Sequence, residues 1–281
     1  MGWNLTLLSP QSINIWRTTT NPKTFLCRRR VLPLLSNPLD ASQNPYPHGT
    51  DPLRESTADG PRDGSSTLRR AIHDARSRLA AIQGRGGFFA ENRFLAECEA
   101  LRGYAIATGL RNDFPLIATQ AGTRGYEHEV WIKNVPPEVP PRVWKATYPD
   151  EFGHLPQGIA AQPIQYLERL LYQNLIFHDD IRLEGISFDG DADFFTMRMV
   201  TSQPFVSGQP GSPEEIERFF QEQGFRNIRM KRRNGWFRDE DGLLCSDTHG
   251  GNLLRSEDGR LIAIDVPVIC LSPAELAPWL V

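Results

Sequence analysis

The sequence lacks the features that assign many proteins to a class at once. It contains only four cysteines in 281 residues, and none of them forms a Cys-x-x-Cys pair. This spacing argues against a zinc site or a disulfide framework and favours a reducing compartment. No apolar run approaches the roughly 18 residues that a membrane-spanning helix needs. We therefore expect a cytoplasmic protein without a membrane partner.

An excess of charge of one sign is also missing. The chain has 31 Lys and Arg against 34 Asp and Glu, which gives a net charge of −3. Such a balance offers no global electrostatic argument for nucleic-acid binding, so no nucleic-acid partner is predicted. Two local basic clusters, 28–30 and 231–233, are typical of solvated surface. Hydrophobic residues make up 40%, enough for a core in one large domain or two small ones.

The N-terminal part has an unusual composition. Residues 1–39 contain basic residues but no acidic one, with many Ser, Thr, Asn and Pro. A transit peptide, a disordered tail and an over-extended start all fit this pattern. Residues 36–65 are rich in Pro, Asp, Gly and Ser, which indicates a linker. We predict that residues 1–64 are disordered and assign them no function.

The rest of the chain alternates between helical and strand patterns. Two helices are predicted within 65–115, and Gly109 ends the second. A hairpin at 127–148, a helix at 163–177 and a hairpin at 180–205 follow. Next comes a helix with a capping box formed by Ser212 and Glu215, and then a strand, a loop and two more strands. This order predicts an α+β fold rather than regular βαβ units.

The segment SDTHGGNLLRSEDGRLIAIDV, residues 246–266, carries the strongest chemical signal. Asp247 and Asn252 lie five residues apart, and Asp265 ends the apolar strand that follows. The turn SEDGR folds this strand back, so the three polar side chains are expected to converge at one end of a hairpin. A carboxylate and an amide suit a hard cation such as Mg²⁺, and a second carboxylate can orient an attacking hydroxyl. An ordinary polar turn is the alternative.

The pattern D-x-x-x-x-N, followed by an apolar strand and Asp, resembles the catalytic loop and metal-binding aspartate of protein kinases. In the fuller form SDTHGGNLL it is similar to the loop of aminoglycoside and choline phosphotransferases. Upstream, Lys145 in RVWKATY and Glu168 in YLERLL follow the order of the kinase lysine and its helix glutamate. Lys133 in VWIKN competes with Lys145 but is expected at a hairpin tip. Glu168 could equally lie on the solvated face of its helix.

Two further segments extend the resemblance. TSQPFVSG, residues 201–208, corresponds to the kinase hinge, whose backbone binds adenine, and this would place Gln203 and Phe205 near the base. An ordinary strand-to-helix loop is the alternative. TQAGTRGYEHEVW corresponds to the phosphate-covering loop but has only Gly122 and Gly125, so a shorter turn would cover the phosphates.

Together, YLERLLYQNLIFHDDIRLEG, VTSQPF, SDTHGGNLL and GRLIAID resemble the kinase-like Ser/Thr/Tyr domain of polyvalent proteins from phages and conjugative elements. The resemblance implies a minimal two-lobed protein-kinase-like fold over 116–281, with an N-lobe at about 116–202 and a short C-lobe at about 203–281. It implies ATP and Mg²⁺ as ligands and an unidentified protein or small molecule as acceptor. By this resemblance, Lys145 would bind the phosphates and Glu168 would hold Lys145 in place. Asn252 and Asp265 would bind the metal ion. Asp247 would orient the acceptor, and His249 would organise the loop.

Several residues depart from the kinase pattern. Cys245 stands where most protein kinases have His, and Val266 and Pro267 follow Asp265 in place of Phe-Gly. The sequence ends sixteen residues after Asp265, which predicts a truncated C-terminal lobe. His249 as a metal ligand or general base is a second possibility for that residue. A nucleotide-binding pseudokinase, a non-enzymatic interaction protein and a small-molecule phosphotransferase are the alternative functions.

Overall fold

The computed structural model describes residues 64–87, 92–111, 123–132, 138–190, 195–231 and 233–281. The segment predicted to be disordered, 1–64, lies outside these residues except for Gly64. Lys133 and Gly122 also lie outside them. In the described part, no helix combines the length and the apolar character that crossing a membrane requires.

The two predicted N-terminal helices are present as α1 (Gly64–Arg85) and α2 (Arg93–Thr108). The start of α1 is fixed by Asp180, whose Oδ1 accepts a hydrogen bond from the Gly64 N–H at 2.9 Å. A Cβ atom on Gly64 would lie 2.2 Å from the carbonyl oxygen of Ile181, so this approach requires glycine. The C-terminal end of α2 is Gly109, as predicted, with φ of +70°.

A five-stranded antiparallel sheet follows the helices in sequence. Its strands are β1 (Thr123–Arg124), β2 (His128–Ile132), β3 (Arg142–Thr147), β6 (Arg182–Gly190) and β7 (Phe195–Pro204), in the order β1-β2-β3-β7-β6. Between β3 and β6 the chain forms β4 (His154–Leu155), a 3₁₀ turn (Pro156–Gly158), β5 (Ile159–Ala160) and α3 (Pro163–Phe177). Both predicted hairpins and the predicted helix are therefore present, and Pro163 occupies the first turn of α3.

The remaining elements form two smaller sheets and two helices. In chain order they are β8 (Gln209–Pro210), α4 (Pro213–Glu222), β9 (Arg226–Arg229), β10 (Asn234–Arg238), β11 (Leu243–Cys245), β12 (Leu253–Arg255), β13 (Leu261–Ala263), β14 (Val268–Cys270) and α5 (Pro273–Leu276). One sheet has the order β14-β11-β10-β9 and the other β13-β12-β8. The capping box of Ser212 and Glu215 at α4 is present as predicted. The hairpin of β9 and β10 was not predicted.

The two largest apolar cores in the described residues hold most of these elements together. In the first, α1, α2 and α3 pack with β6 and β7, so the N-terminal helices share a core with the large sheet. In the second, α4 packs on the smaller sheets, and Phe220 stacks on Trp236 with ring centroids 5.1 Å apart. The mixture of helices and antiparallel sheets confirms the α+β class.

Candidate functional site

A loop of residues 246–252 joins β11 to β12 and contains the predicted Asp247 and Asn252. The Asn252 side-chain amide closes this loop, since its Nδ2 donates to the carbonyl oxygen of Asp247 at 2.9 Å and lies 3.3 Å from Asp247 Oδ2. Asp247 adopts a left-handed backbone conformation, with φ of +57°. A non-glycine residue in this region is uncommon, and Asp tolerates it better than most. The loop therefore presents the Asp247 carboxylate in a fixed, sparsely populated conformation.

His249 takes part in the hydrogen bonds of the same loop. Its Nδ1 accepts from the Gly251 N–H at 3.0 Å, and its Nε2 lies 3.9 Å from Asp247 Oδ2. Because the backbone N–H can only donate, Nδ1 is unprotonated and the ring proton of the neutral form sits on Nε2. Across the residues that the structure describes, no group of three or more His, Cys, Asp and Glu is arranged to hold a metal ion. His249 thus has loop partners but no metal-binding partners there.

Lys145 and Asp265, predicted from separate motifs, are brought together by the fold. Lys145 lies on β3, its side chain is 13% exposed, and its Nζ is 3.5 Å from Asp265 Oδ2. Asp265 follows β13, and the Ile264 N–H just before it donates to the carbonyl oxygen of Asn252 at 2.9 Å. The four predicted residues Lys145, Asp247, Asn252 and Asp265 therefore form a connected set.

The charge of Asp265 is set by two opposing effects. Burial acts to raise the pKa of its carboxyl, but Lys145, and then His128 and Arg169, outweigh this and hold the pKa below its ordinary value. Asp265 is therefore a carboxylate over the whole neutral range. An ionised carboxylate is what a divalent cation or a lysine requires as a partner.

The predicted pair of Lys145 and Glu168 is not formed in the structure. Glu168, on α3, accepts instead from Arg76 Nη2 of α1 at 2.7 Å, while Lys145 pairs with Asp265. Burial raises the pKa of Glu168, and Arg76 opposes this shift only in part. Because α1 packs against α3, Arg76 lies within reach of Glu168, and the glutamate pairs with α1 instead of with Lys145 on β3.

Sequence reasoning missed a group of buried polar residues around Lys145 and Asp265. His128 on β2 hydrogen-bonds to the Tyr166 hydroxyl at 3.0 Å, and burial lowers the pKa of His128 to about 4. Asp179, just after α3, accepts from Gln173 Nε2 at 2.6 Å, and burial raises the pKa of Asp179 to about 7. Both groups are electrostatically coupled to Lys145 and Asp265. No local sequence signal identified them, because each depends on burial by distant elements.

The predicted phosphate-covering turn is represented by Gly125, between β1 and β2. Its N–H donates to the carbonyl oxygen of His128 at 2.8 Å, and its own carbonyl oxygen accepts from the Tyr148 hydroxyl at 2.8 Å. A Cβ atom at Gly125 would lie 3.0 Å from the carbonyl oxygen of His128, which explains why glycine suits this tight turn. Gly122, the other predicted glycine, lies outside the described residues.

The predicted hinge residues lie at the end of β7. The Gln203 side chain is buried, and its Nε2 donates to the carbonyl oxygen of Ile264 at 2.8 Å. The Phe205 side chain is exposed, but its N–H already donates to the carbonyl oxygen of Pro141 at 2.9 Å. Since Pro204 has no N–H, any backbone contact to a base falls to the other groups of this segment.

A cleft of about 530 Å³ adjoins the same segment. Gln203, Pro204 and Val206 line it, together with Ile262 and Ile264 from the strand that leads to Asp265. Its walls are mostly apolar, with a few polar side chains. The lining includes neither Lys145 nor Asp247.

The donor set at Asn252 and Asp265 fits a magnesium ion. Mg²⁺ prefers oxygen ligands and is usually held by one or two carboxylates together with substrate phosphates and water. Asp265 supplies an ionised carboxylate. Asn252 uses its Nδ2 on Asp247, which leaves the carbonyl oxygen Oδ1 for a ligand. Each residue thus offers an oxygen atom of the type that this ion prefers.

An arginine that sequence analysis did not assign to the site contacts Asp247. Arg233 Nη1 donates to Asp247 Oδ1 at 3.0 Å. Arg233 precedes β10, and it belongs to the basic cluster 231–233 that was attributed to solvated surface. The basic cluster is visible in the sequence, but no motif or spacing relates it to Asp247.

A comparison with protein families matches residues 96–272 to the serine/threonine/tyrosine kinases found in polyvalent proteins. The match covers more than half of the chain. The protein belongs to this family. The resemblance inferred from the motifs is thereby confirmed, and it extends upstream into α2. Comparison with curated proteins and with solved structures found no match.

Proposed function

We propose that this kinase-family protein is an ATP-dependent phosphotransferase with a two-lobed protein-kinase-like fold. It would transfer the γ-phosphoryl group of ATP to a hydroxyl group. The observation that carries the proposal is the contact between Lys145 and Asp265, at 3.5 Å, beside the bonded pair of Asn252 and Asp247. A lysine, two carboxylates and an amide are the groups that protein kinases use for phosphoryl transfer.

Each residue has a role in this proposal. Lys145 would bind the α- and β-phosphates, and the adenine would lie against the chain near Gln203 and Phe205. Magnesium, when bound by Asn252 and Asp265, supplies neutralisation of the phosphate charge. Gly125 would let the β1–β2 turn approach the phosphates closely.

Asp247 would act on the acceptor. Its carboxylate would orient the hydroxyl and accept its proton while the hydroxyl oxygen forms a bond to the γ-phosphorus. In the same step the bond from that phosphorus to the β–γ bridging oxygen breaks, and ADP leaves. Positioning and charge stabilisation would account for most of the rate enhancement. The hydrogen bonds of His249 and Asn252 within the loop support this role by fixing the conformation of Asp247.

A thermal-shift measurement with ATP and Mg²⁺ tests the proposal. Wild type is expected to gain several degrees only when both are present, and Asp265→Ala is expected to lose the gain. Asp258→Ala is the matched control, since Asp258 is an exposed carboxylate in the turn of the same hairpin. Transfer of the γ-phosphate from labelled ATP then tests the chemistry. A wild type that shows neither a shift nor transfer contradicts the proposal.

A nucleotide-binding protein without transferase activity is the second candidate. The observation that favours it is the pairing of Glu168 with Arg76, because protein kinases need a lysine–glutamate ion pair in the active state. A magnesium-dependent thermal shift without phosphate transfer to any acceptor would select this candidate.

A further inference from the structure

The connection between β9 and β10 is strongly basic. The sequence RMKRR, residues 229–233, comprises the last residue of β9 and the four residues that connect it to β10. Arg232 lies outside the described residues, and the name "basic turn" is used here for Arg229, Lys231 and Arg233. Arg229 and Lys231 are exposed. Two contacts hold the turn in place. Met230 is buried, and the Lys231 N–H donates a hydrogen bond to the carbonyl oxygen of Trp279 at 3.0 Å.

The pairing of β10 with β11 places the basic turn beside the catalytic loop. The two strands are antiparallel, and Trp236 lies opposite Cys245. The start of β10 therefore meets the end of β11, where Asp247 follows two residues later. This register explains why Arg233 reaches Asp247, at 3.0 Å.

The contact leaves most of the arginine available. Arg233 donates to Asp247 through Nη1, one of several N–H groups on its guanidinium. The side chain of Arg233 is 49% exposed and that of Asp247 is 45% exposed. A guanidinium in this position can hold a second carboxylate while it remains beside the first.

The positive charge of the basic turn is not neutralised within the described part of the chain. No carboxylate there forms an ion pair with Arg229 or Lys231, and Asp247 pairs with Arg233 alone. The opposite end of the same hairpin differs, because Arg226 pairs with Asp239 at 2.6 Å. The positive charge without a carboxylate partner therefore lies at the end of the hairpin where Arg233 contacts Asp247.

The surroundings of Asp247 suit a chain segment better than a small molecule. Small ligands are usually enclosed by a concave pocket. The 530 Å³ cleft has none of Asp247, His249 and Arg233 in its lining, and all three side chains are about half exposed or more. An extended peptide can reach such an open surface.

We propose that the phosphate acceptor is a protein segment in which acidic side chains flank the hydroxyl residue, and that Arg233 selects it together with Lys231 and Arg229. The inference rests on the proposed phosphotransferase function. Arg233 is a specificity residue in this account: it binds an acceptor carboxylate and thereby brings the neighbouring hydroxyl to Asp247. Charge complementarity of this kind contributes chiefly to partner choice and to the association rate.

Two assays on the full chain test the inference. The first measures binding of fluorescein-labelled serine peptides flanked by Glu, Gln or Lys, by anisotropy and without nucleotide. The second measures kcat and KM for phosphorylation of the same peptides. The variants are Arg233→Gln and Lys231→Gln, and the control is Arg226→Gln, at the far end of the same hairpin.

We expect wild type to favour the Glu-flanked peptide over the Gln-flanked one by about tenfold in both assays, and less so at high salt. Arg233→Gln should remove most of this preference, so that the Glu-flanked and Gln-flanked peptides have nearly equal KM, and Arg226→Gln should retain the preference. Equal binding of all three peptides by wild type overturns the inference. So does an Arg233→Gln variant whose kcat falls equally on all peptides, since Arg233 would then only position Asp247.

The assays separate this inference from the proposed function. Arg233-dependent binding of the Glu-flanked peptide without phosphate transfer would support the acidic partner and contradict the phosphotransferase. Transfer at equal rates to all three peptides would support the phosphotransferase and contradict the acidic acceptor.

Discussion

Arg169 of α3 donates from Nη2 to Glu127 Oε2 in the β1–β2 turn, at 2.8 Å. The arginine side chain is 3% exposed, and its Nη1 also donates to the carbonyl oxygen of His154 at 2.9 Å. Burial acts to raise the pKa of Glu127, but Arg169 outweighs it and keeps the pKa below its ordinary value. The pair thus ties the turn that contains Gly125 to the helix that contains Glu168.

Removal of Glu127 should destabilise the protein markedly. Glu127→Ala leaves the buried Arg169 without its partner, and we expect a loss of about 3 kcal/mol in the free energy of unfolding, because Glu127 itself is partly exposed. Urea denaturation measures this. Arg226→Ala, which breaks an exposed pair, should cost less than about 1 kcal/mol. The double variant Glu127→Ala with Arg169→Met should recover part of the loss. If Glu127→Ala lowers the free energy of unfolding no more than Arg226→Ala does, the buried pair stabilises the protein no more than the exposed one.

Lys145 should be essential for phosphate transfer if the proposed function is correct. Lys145→Met removes the cation that would bind the α- and β-phosphates, and we expect the rate of transfer to fall by about 100-fold or more. The measurement is transfer from γ-labelled ATP. Lys133→Met is the control, since Lys133 was the competing lysine in the sequence and should be dispensable. If Lys133→Met abolishes transfer and Lys145→Met does not, Lys133 is the lysine that binds the phosphates.

Asp179 and His128 should give opposite pH dependences of stability. The pKa of Asp179 is raised from 3.8 to about 7, so its contribution to stability is complete below about pH 4 and is lost as the pH rises to 7. The pKa of His128 is lowered from 6.5 to about 4, so its contribution is complete above pH 6.5 and is lost as the pH falls to 4. Between pH 4 and 6.5 the two contributions oppose each other.

Single variants should separate the two titrations. In Asp179→Asn, the free energy of unfolding relative to wild type should rise with increasing pH between 4 and 7, by at most about 1.4 kcal/mol per pH unit. In His128→Gln, stability relative to wild type should rise as the pH falls from 6.5 to 4. Denaturant unfolding at a series of pH values provides the curves. Parallel curves for all three proteins would mean that neither group titrates as its burial implies.

Glu97 should stabilise the start of α3. It is fully buried, and its Oε2 accepts from the Ile164 N–H at 2.9 Å, while Arg93 donates to its Oε1 at 2.8 Å. Glu97→Ala leaves that N–H unsatisfied and should cost about 2–3 kcal/mol of unfolding free energy. Glu97→Gln keeps an acceptor oxygen and should cost less. Urea denaturation measures these costs. The control is Glu99→Ala, which breaks an ion pair with Arg102 within α2 and should cost under about 1 kcal/mol.

Local signals were sufficient to predict most elements. The Ser212 capping box set the start of α4, and the helical periodicity after Pro163 set α3, because both depend on neighbours within one or two turns. The loop from Asp247 to Asn252 was predictable for the same reason, since its closing hydrogen bonds span five residues. Asp265 was placed beside it by a short hairpin, whose register follows from its turn.

The partner of Glu168 was not predictable because α3 is buried on most of its circumference. Tyr166, Leu167, Arg169 and Leu170 are all buried, so the periodicity does not reveal which face meets the sheet and which meets α1. Glu168 and Arg169 are adjacent in sequence yet point to different neighbours, Arg76 and Glu127.

The hairpin of β9 and β10 escaped prediction for a different reason. In β9 only Ile228 is buried, and the other three residues, two arginines and an asparagine, are exposed and polar. An edge strand with one buried residue shows no alternation of polar and apolar residues, so the sequence reads as a loop. The same exposed charges conceal the relation between Arg233 and Asp247, which exists only once β10 and β11 are paired.

The large sheet and the strand that leads to Asp265 are joined by two links of different kinds. Lys145 reaches Asp265 by an ion pair, and Gln203 reaches the neighbouring Ile264 by a neutral hydrogen bond. The strength of the first link depends on the charges of both groups and on their partial burial, whereas the second carries no net charge and does not respond to salt. The strand that leads to Asp265 is therefore attached to the large sheet by one link that depends on charge and by a second, adjacent link that does not.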